Sequence, residues 1–310
     1  MPHSSPQKLT PGAFARAKTF IGRAQPLEQA LFSFYFEDHD PDPVIAALRP
    51  FQLSDGGFSG LEADIGFSES SVLSTCRALR ILHDVSAPAG HSLVQQALDY
   101  LLASYDPALD AWPIIPPHDN SAPHAPWWHY SGDFAEKWQR FEDNPRPDAL
   151  GWLYVFPCAK TEALRRHVSL TTLNRLRSVE RTADMHGIIC HVRLYPAPNL
   201  PKELKQELER VLPKWIDQGV ERDPGKWTGY CLRPLGVVPL ADFPWRHLLA
   251  QAIEHNLDFL IQNQAPDGSW HPPWSWGSFF PEAWPAAKLK WQAILTLDAL
   301  LSLRSYGRIG

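Results

Sequence analysis

The stretch that decides the fold runs Gln264-Ala-Pro-Asp-Gly-Ser-Trp-His-Pro-Pro-Trp-Ser-Trp-Gly277. A segment with apolar residues at helical spacing leads into it, and Pro266, Asp267 and Gly268 then form a turn that stops the helix. Trp270 follows two residues after the glycine, where a large ring can fold back and anchor the turn to a neighbouring helix. The stretch therefore predicts a helix end, a tight turn and an aromatic anchor. The apolar positions of the preceding helix are Leu249, Ile253, Leu257, Leu260 and Ile261.

A second copy of this pattern lies near the beginning of the chain and reads Gln52-Leu-Ser-Asp-Gly-Gly-Phe58. Both copies have a glutamine, two residues, Asp-Gly, one residue and an aromatic residue. Looser versions are Asp110-Ala-Trp112 and Asp223-Pro-Gly-Lys-Trp227. The pattern resembles the QW repeat of the terpenoid cyclases and the protein prenyltransferase β-subunits. This resemblance implies an α/α toroid, in which an inner ring of helices lies inside an outer ring.

The composition suits a protein of this kind. The chain has 310 residues, of which 44% are hydrophobic and 20% charged, enough for a hydrophobic core. Nearly all periodic segments have helical spacing, so we predict an all-α toroid of about ten to twelve helices. Ser68 or Ser70 is the predicted cap of the helix that contains Val72, and Ser92 is the predicted cap of the next one. Because repeat folds of this length can form one domain, the prediction is a single domain over residues 1–310. The 30 prolines predict rigid, extended loops between the helices.

Charge and cysteine content narrow the partners and the location. The net charge of -5 and the lack of a basic cluster argue against nucleic acid as a partner. No apolar run reaches about 18 residues, the length needed for a membrane-spanning helix. No CxxC pair and no signal peptide are visible, which predicts a cytoplasmic protein whose cysteines are reduced core residues. The cysteines are Cys76, Cys158, Cys190 and Cys231. The expected partner is a small apolar molecule.

Residues 105–145, called the aromatic segment below, lack a helical period and are rich in proline and aromatic residues. Long irregular segments inside compact domains are usually functional, and we predict that this one covers one mouth of the toroid. Clustered tryptophan faces bind flat apolar ligands and stabilise carbocations. The alternative is that these rings plug the ends of the toroid as core. The predicted substrate-binding residues are Trp127, Trp128, Tyr130, Trp274 and Trp276.

Acidic residues are the candidates for catalysis. The resemblance to the cyclases implies an aspartic acid of an Asp-x-Asp-Asp motif that protonates an alkene, but no such motif is present. The nearest spelling is Asp38-His-Asp40, and the magnesium-binding Asp-Asp-x-x-Asp is also absent. A lone acid in a dry pocket can still act as a general acid. The first candidate is Asp64, which follows the Asp-Gly-Gly turn and precedes a strong helix; a hydrogen-bonded loop carboxylate is the alternative. The other candidates are Glu62, His124 and Asp148.

No cofactor and no metal ion are predicted. The prenyltransferases to which the repeats are similar use Asp, Cys and His ligands for zinc, and His186 and Cys190 stand at i and i+4 with Asp184 close by. Their characteristic Asp-x-Cys spacing is missing, which favours core packing for Cys190. Whether these residues bind zinc is left open by the sequence.

The leading hypothesis is a terpenoid-cyclase-like enzyme, an isomerase or lyase. It would act on a polyprenyl or polycyclic apolar substrate in a Trp-lined central cavity. One alternative is a carbohydrate hydrolase or lyase on an α/α barrel, and another is a non-catalytic protein that binds an apolar ligand. Two opposed carboxylates would indicate a sugar enzyme. A single buried acid among aromatic rings would indicate a cyclase, and we expect Asp64 to lie within reach of the aromatic segment.

Overall fold

The computed structural model describes residues 6–178 and 182–310, which form an all-α protein. They contain thirteen α-helices, several short 3-10 turns and no strand beyond isolated β-bridges. The all-α prediction is therefore confirmed, with slightly more helices than expected. The helices are α1 (Pro11–Ile21), α2 (Pro26–Phe36), α3 (Asp42–Leu48), α4 (Val72–Asp84), α5 (Ser92–Ala103), α6 (Phe134–Lys137), α7 (Arg146–Val155), α8 (Glu162–Ser178), α9 (Met185–Leu194), α10 (Lys202–Gly219), α11 (Pro234–Val237), α12 (Ala250–Gln262) and α13 (Trp284–Ser305).

None of the helices in the described residues is long and apolar enough to cross a membrane. The first five residues, on which the expectation of no signal peptide partly rests, lie outside the described residues. The four cysteines are free thiols, and Cys76 and Cys190 are buried as expected. Cys158 and Cys231 are only half-buried, so the expectation that all four are core residues is wrong for these two.

The chain folds into two compact units. The first unit comprises Met1–Val44 and Val220–Gly310, and the second comprises Ile45–Gly219. In the first unit, α13 packs against α1, α2 and α12, while α11 packs on α12. In the second unit, α7 packs against α4, α8 and α9, and α10 packs against α8 and α9. A single toroid domain with two concentric rings of helices remains a prediction.

Helix α7 is the centre of the second unit. All residues from Arg146 to Tyr154 are buried, including the charged Arg146 and Asp148. A helix that is buried on every side must lie between other elements rather than on a surface. The longer α10 shows the opposite pattern, with charged residues on one face and a buried face of Leu204, Leu208, Val211, Leu212, Trp215 and Ile216.

Two helix caps differ from the sequence-based expectation. We expected Ser68 or Ser70 to cap α4, but the Ser71 hydroxyl accepts the Ser74 N–H at 3.1 Å. The Ser70 hydroxyl instead donates to Asp55 Oδ1 at 2.7 Å and so belongs to the preceding turn. Helix α5, expected to be capped by Ser92, is capped by the ring of the residue before it, His91, whose Nδ1 accepts the Leu93 N–H at 3.2 Å.

The two Gln-x-x-Asp-Gly turns have the same hydrogen bonds. In the first unit, Gln264 Nε2 donates to the carbonyl of Gly268 at 3.0 Å and to that of Ala13 in α1 at 2.9 Å. In the second unit, Gln52 Nε2 donates to the carbonyl of Gly56 at 2.9 Å and to that of Leu93 in α5 at 3.0 Å. Each glutamine therefore ties its own turn to the first turn of another helix.

The glycine of each turn is required by its backbone and by its neighbour. Gly268 has φ +93°, and a Cβ there would lie 2.4 Å from the carbonyl carbon of Arg16. Gly56 has φ +85°, and its Cβ would lie 2.4 Å from the carbonyl oxygen of Gln96. Positive φ disfavours other residues, and the close backbone excludes any side chain. The turns thus press directly on α1 and α5.

The aromatic residues of the pattern are buried anchors. Trp270 is 5% exposed, and its Nε1 donates to the carbonyl of Leu260 in the last turn of α12 at 2.9 Å. Trp112, in one of the looser copies, is fully buried and donates in the same way to Leu101 in the last turn of α5 at 2.6 Å. The ring of each tryptophan therefore closes the C-terminal end of the helix that precedes it.

Candidate functional site

The aromatic segment, in the second unit, is an ordered loop. It contains α6 and two 3-10 turns, Pro126–Trp128 and Gln139–Phe141. The side-chain amide of Asn120 closes part of it, because Nδ2 donates to the Tyr130 carbonyl and Oδ1 accepts the Tyr130 N–H, both at 2.8 Å. Its irregular backbone is therefore fixed by specific bonds.

Asp64 lies against this segment. The Ala125 N–H donates to the backbone carbonyl of Asp64 at 3.0 Å, and Ile65 pairs with His124 in an isolated antiparallel bridge. Gly66 continues the contact, since a Cβ there would lie 2.4 Å from the carbonyl oxygen of Pro123. Asp64 is 5% exposed. The structure thus brings two of the candidate catalytic residues, Asp64 and His124, onto paired stretches of backbone.

His124 is the buried member of a group of three histidines. It is completely buried, and its Nδ1 lies 2.6 Å from the Ala122 carbonyl, which can only accept. Nδ1 therefore carries the proton in the neutral ring. The ring centroids of His118 and His129 lie 5.3 Å and 5.7 Å from that of His124. Burial lowers the pKa of His124 and so favours the neutral imidazole.

The rings of the segment form a connected aromatic wall, which comprises His118, Trp128, Tyr130, Phe134 and Trp138. Trp128 stacks on Trp138 with centroids 4.8 Å apart and an angle of 8° between the rings. Phe134 lies 6.1 Å from Trp138 and 5.1 Å from Tyr130, and Tyr130 lies 5.8 Å from His118.

Exposure separates the two neighbouring tryptophans of the segment. Trp127 is 36% exposed, whereas Trp128 is 7% exposed. The sequence analysis missed Trp138, although its i, i+4 spacing from Phe134 was a usable signal.

Two of the predicted acids are ion-pair partners. Glu62 lies 3.8 Å from Arg77 of α4. Asp148 accepts from Arg80 of α4 at 3.5 Å and from Arg193 of α9 at 3.3 Å, both on the same oxygen. Asp148 therefore links three helices of the second unit, which is a structural role.

The sequence analysis also missed a buried polar network around α7. Asp143, 5% exposed, accepts from Arg175 Nη2 at 2.8 Å and from Nε at 3.2 Å. Arg146, 3% exposed, pairs with Asp110 at 3.1 Å. The dense alternation of charge and proline in the stretch from Asp143 to Asp148 was the available signal. Buried charges of this kind need partners, and here the partners come from distant parts of the chain.

The predicted substrate-binding residues Trp274 and Trp276 belong to the first unit. Trp274 makes edge-to-face contacts with Tyr230 and Trp291, with centroids 5.5 Å and 5.1 Å apart. Trp276 is 3% exposed and lies 5.6 Å from Trp284. They form an aromatic cluster within that unit, whereas the other predicted site residues all belong to the second unit.

The residues considered for zinc have other roles. Asp184 caps α9 by accepting the Gly187 N–H at 2.8 Å, and the Cys190 thiol donates to Asn144 Oδ1 at 3.5 Å. Burial raises the pKa of the Cys190 thiol, which opposes the thiolate that zinc requires. Within residues 6–178 and 182–310, no three His, Cys, Asp or Glu side chains are grouped so that they could hold a metal ion.

Comparisons with known proteins add no relative to this picture. No protein-family model matches the chain, and no curated protein matches it either. The assignment of a function therefore depends on the geometry of Asp64, His124 and the aromatic wall.

Proposed function

We propose that this protein is a terpenoid-cyclase-like enzyme on an α/α toroid, acting on a polyprenyl or polycyclic apolar substrate. Asp64 is the acid, and the aromatic segment is the surface on which the apolar chain packs. The observation that carries the proposal is the position of Asp64. This residue is 5% exposed. Its backbone carbonyl accepts a hydrogen bond from the N–H of Ala125, next to His124 and the aromatic rings.

Two other buried acids of the second unit are poorly placed to donate a proton. Asp143 is held by Arg175 and Asp148 by two arginines, so both already balance buried positive charge. An acid in such an ion pair is a poor proton donor, since the pairing stabilises its charged form. Asp64 lies beside the aromatic segment. A proton donor beside aromatic rings suits the protonation of an alkene, whereas glycoside hydrolysis uses two carboxylates.

The chemistry follows from these positions. The proton of the Asp64 carboxyl group is transferred to one alkene carbon, and the π electron pair forms the new C–H bond. The positive charge that remains on the adjacent carbon is stabilised by the faces of Trp127 and Tyr130 through cation–π attraction. A neighbouring double bond attacks this carbon and closes a ring, and loss of a proton ends the reaction. The neutral imidazole of His124 is the group that can accept that proton. The overall reaction is an isomerisation without an oxidant or reductant.

The test is a reaction in deuterium oxide. Purified protein is incubated with a panel of prenyl hydrocarbons and prenyl alcohols, and the products are analysed by gas chromatography with mass spectrometry. A cyclised product should carry one deuterium from the exchanged Asp64 carboxyl group. Asp64→Asn should abolish this product, while Asp119→Asn, an exposed acid in the same segment, should not affect it.

The alternatives give different results in the same experiment. If the protein binds prenyl compounds without converting them, it is a non-catalytic protein that binds an apolar ligand. Release of sugars from oligosaccharides, without binding of prenyl compounds, would establish the carbohydrate enzyme instead. Asp64→Asn must also remain folded, with a free energy of unfolding within about 1 kcal/mol of the unsubstituted protein, as for a residue without a structural role.

A further inference from the structure

The tryptophan N–H groups of this protein fall into two classes. Trp112, Trp227 and Trp270 donate Nε1–H to backbone carbonyls at 2.6, 2.8 and 2.9 Å. Such bonds are the norm for buried indoles, because a buried donor without an acceptor has lost its water and gained nothing in return. Together with Trp152 and Trp274, Trp128 belongs to the other class. Its Nε1 is buried and, within the residues that the structure describes, has no hydrogen-bond partner.

The ring of Trp128 is held in place. It is 7% exposed and lies almost parallel to Trp138, with centroids 4.8 Å apart. Turning the ring to find an acceptor would break this stack. The unsatisfied donor is therefore a fixed feature of the aromatic wall.

A second polar atom of the same wall is in a similar position. The Nδ1 of His118 lies 3.2 Å from the Pro116 carbonyl, so the neutral ring carries its proton there and keeps a lone pair on Nε2. This Nε2 is buried and finds no hydrogen-bond partner among residues 6–178 and 182–310. The ring stacks on Phe67 with centroids 4.0 Å apart. Through Tyr130, Phe134 and Trp138 it is connected to Trp128. The wall thus offers one donor and one acceptor that the described protein leaves unused.

We propose that the apolar ligand of the aromatic segment carries an oxygen atom, as in a prenyl alcohol, and that this oxygen accepts the Trp128 N–H. A hydrocarbon bound against the wall would keep the donor buried without an acceptor, whereas a hydroxyl oxygen satisfies it. This inference rests on the proposed function and narrows its substrate class from any apolar prenyl compound to an oxygenated one.

The experiment compares farnesol with farnesene, a hydrocarbon with the same carbon skeleton in which loss of water has replaced the hydroxyl group by a further double bond. Their dissociation constants are measured by equilibrium dialysis, and the ratio of farnesene to farnesol is formed for each variant. Within one variant, the ratio of the two dissociation constants cancels any effect that the substitution has on both ligands alike. Comparing this ratio between variants cancels the difference in the affinities of the two ligands for water. Trp128→Phe should reduce this ratio by roughly tenfold, which corresponds to about 1.4 kcal/mol. Trp152→Phe, which removes the buried indole N–H of a tryptophan in α7, outside the aromatic segment, should leave the ratio unchanged.

A second substitution protects the result against misfolding. Replacement of Trp128 by β-(3-benzothienyl)alanine keeps the size and the stacking of the ring but removes the N–H. It should reduce the ratio as Trp128→Phe does. A ratio that is the same in the unsubstituted protein and in both variants would overturn the proposed contact while leaving the enzyme proposal standing. Failure of both ligands to bind would remove the proposed function itself.

Discussion

The backbone N–H of Trp270 donates a hydrogen bond to the hydroxyl oxygen of Thr296, 3.2 Å away. Thr296 is fully buried, and its hydroxyl in turn donates to the carbonyl of Gln292 at 2.6 Å. The second unit repeats this arrangement, with the Phe58 N–H donating to the Thr75 hydroxyl at 3.0 Å. One threonine in each unit therefore joins the aromatic residue of the turn to a helix.

Removing this hydroxyl should destabilise the first unit. Thr296→Val keeps the shape of the side chain but leaves the buried Trp270 N–H without an acceptor. The free energy of unfolding should fall by about 1–3 kcal/mol, the cost of an unsatisfied buried donor. Urea denaturation measures this change. Thr296→Ser retains the hydroxyl and loses only a methyl group, so it should be the milder variant. Equal stability of the Val variant and the unsubstituted protein would contradict the role of the bond.

The close approach of the turn to α1 predicts a strong effect at Gly268. Gly268→Ala combines a positive φ with a Cβ 2.4 Å from the Arg16 carbonyl carbon. Gly277→Ala is the matched control, because that residue has φ +59° but open space around its Cβ. The control should cost about 1–2 kcal/mol, the penalty of a left-handed residue, and Gly268→Ala should cost clearly more. Thermal unfolding of the two variants compares them directly. Similar melting temperatures of the two variants would mean that the backbone of α1 moves away from the new Cβ at little cost in stability.

Trp270 should be one of the most sensitive side chains in the first unit. Trp270→Ala removes a ring that is 5% exposed and opens a cavity between the turn and α12. The expected loss is about 3–5 kcal/mol, as for other buried aromatic residues. Trp127→Ala removes a ring that is 36% exposed and should cost much less. Chemical denaturation measures both, and a loss below about 1 kcal/mol for Trp270→Ala would show that the anchor is dispensable.

The buried histidine of the aromatic segment predicts acid sensitivity. Burial lowers the pKa of His124, so the unfolded chain binds a proton more readily than the folded protein. The stabilisation is complete above the unfolded pKa of about 6.5 and is lost as the pH falls from that value towards the lowered pKa.

Variants at two histidines separate the contribution of His124 to acid sensitivity from that of other titrating groups. His124→Phe should reduce the slope of unfolding free energy against pH below 6.5 by up to about 1.4 kcal/mol per pH unit, the value for one proton. His247→Gln, at an exposed histidine, should leave the slope unchanged. Urea denaturation at several pH values measures the slopes. An identical slope in the His124 variant would mean that burial of this ring is not the cause of the acid sensitivity.

The sequence predicted the repeat turns well because their geometry is local. Gly268 must have a positive φ and Trp270 must close α12, and both requirements follow from residues within a short stretch. The predicted cap of α4 was wrong because several serines lie close together, and the choice among them depends on a bond from Ser70 to Asp55. That bond joins residues 15 apart and has no sequence signal of its own.

The candidate site was less predictable because its contacts also join residues that are far apart in the sequence. Asp64 and Asp148 are both buried acids, and neither sequence neighbourhood reveals its partners. The two arginines at Asp148 come from α4 and α9, which lie 68 and 45 residues away along the chain. Long-range ion pairs of this kind depend on helix packing, so a structural carboxylate can resemble a catalytic one until the fold is known.

The matching glutamine bonds of the two turns have unequal consequences for how the chain assembles. Gln52 reaches Leu93, 41 residues away, whereas Gln264 must reach back 251 residues to Ala13. The longer closure costs about 1.6 kcal/mol more chain entropy. At about 5–20 residues per second on the ribosome, α1 waits roughly 10–50 s for its partner turn to be made. Its buried positions, Ala13, Ala17 and Ile21, stay uncovered by that partner during this interval. The segment from 45 to 219 can fold first, so α1 remains without this partner while the second unit forms.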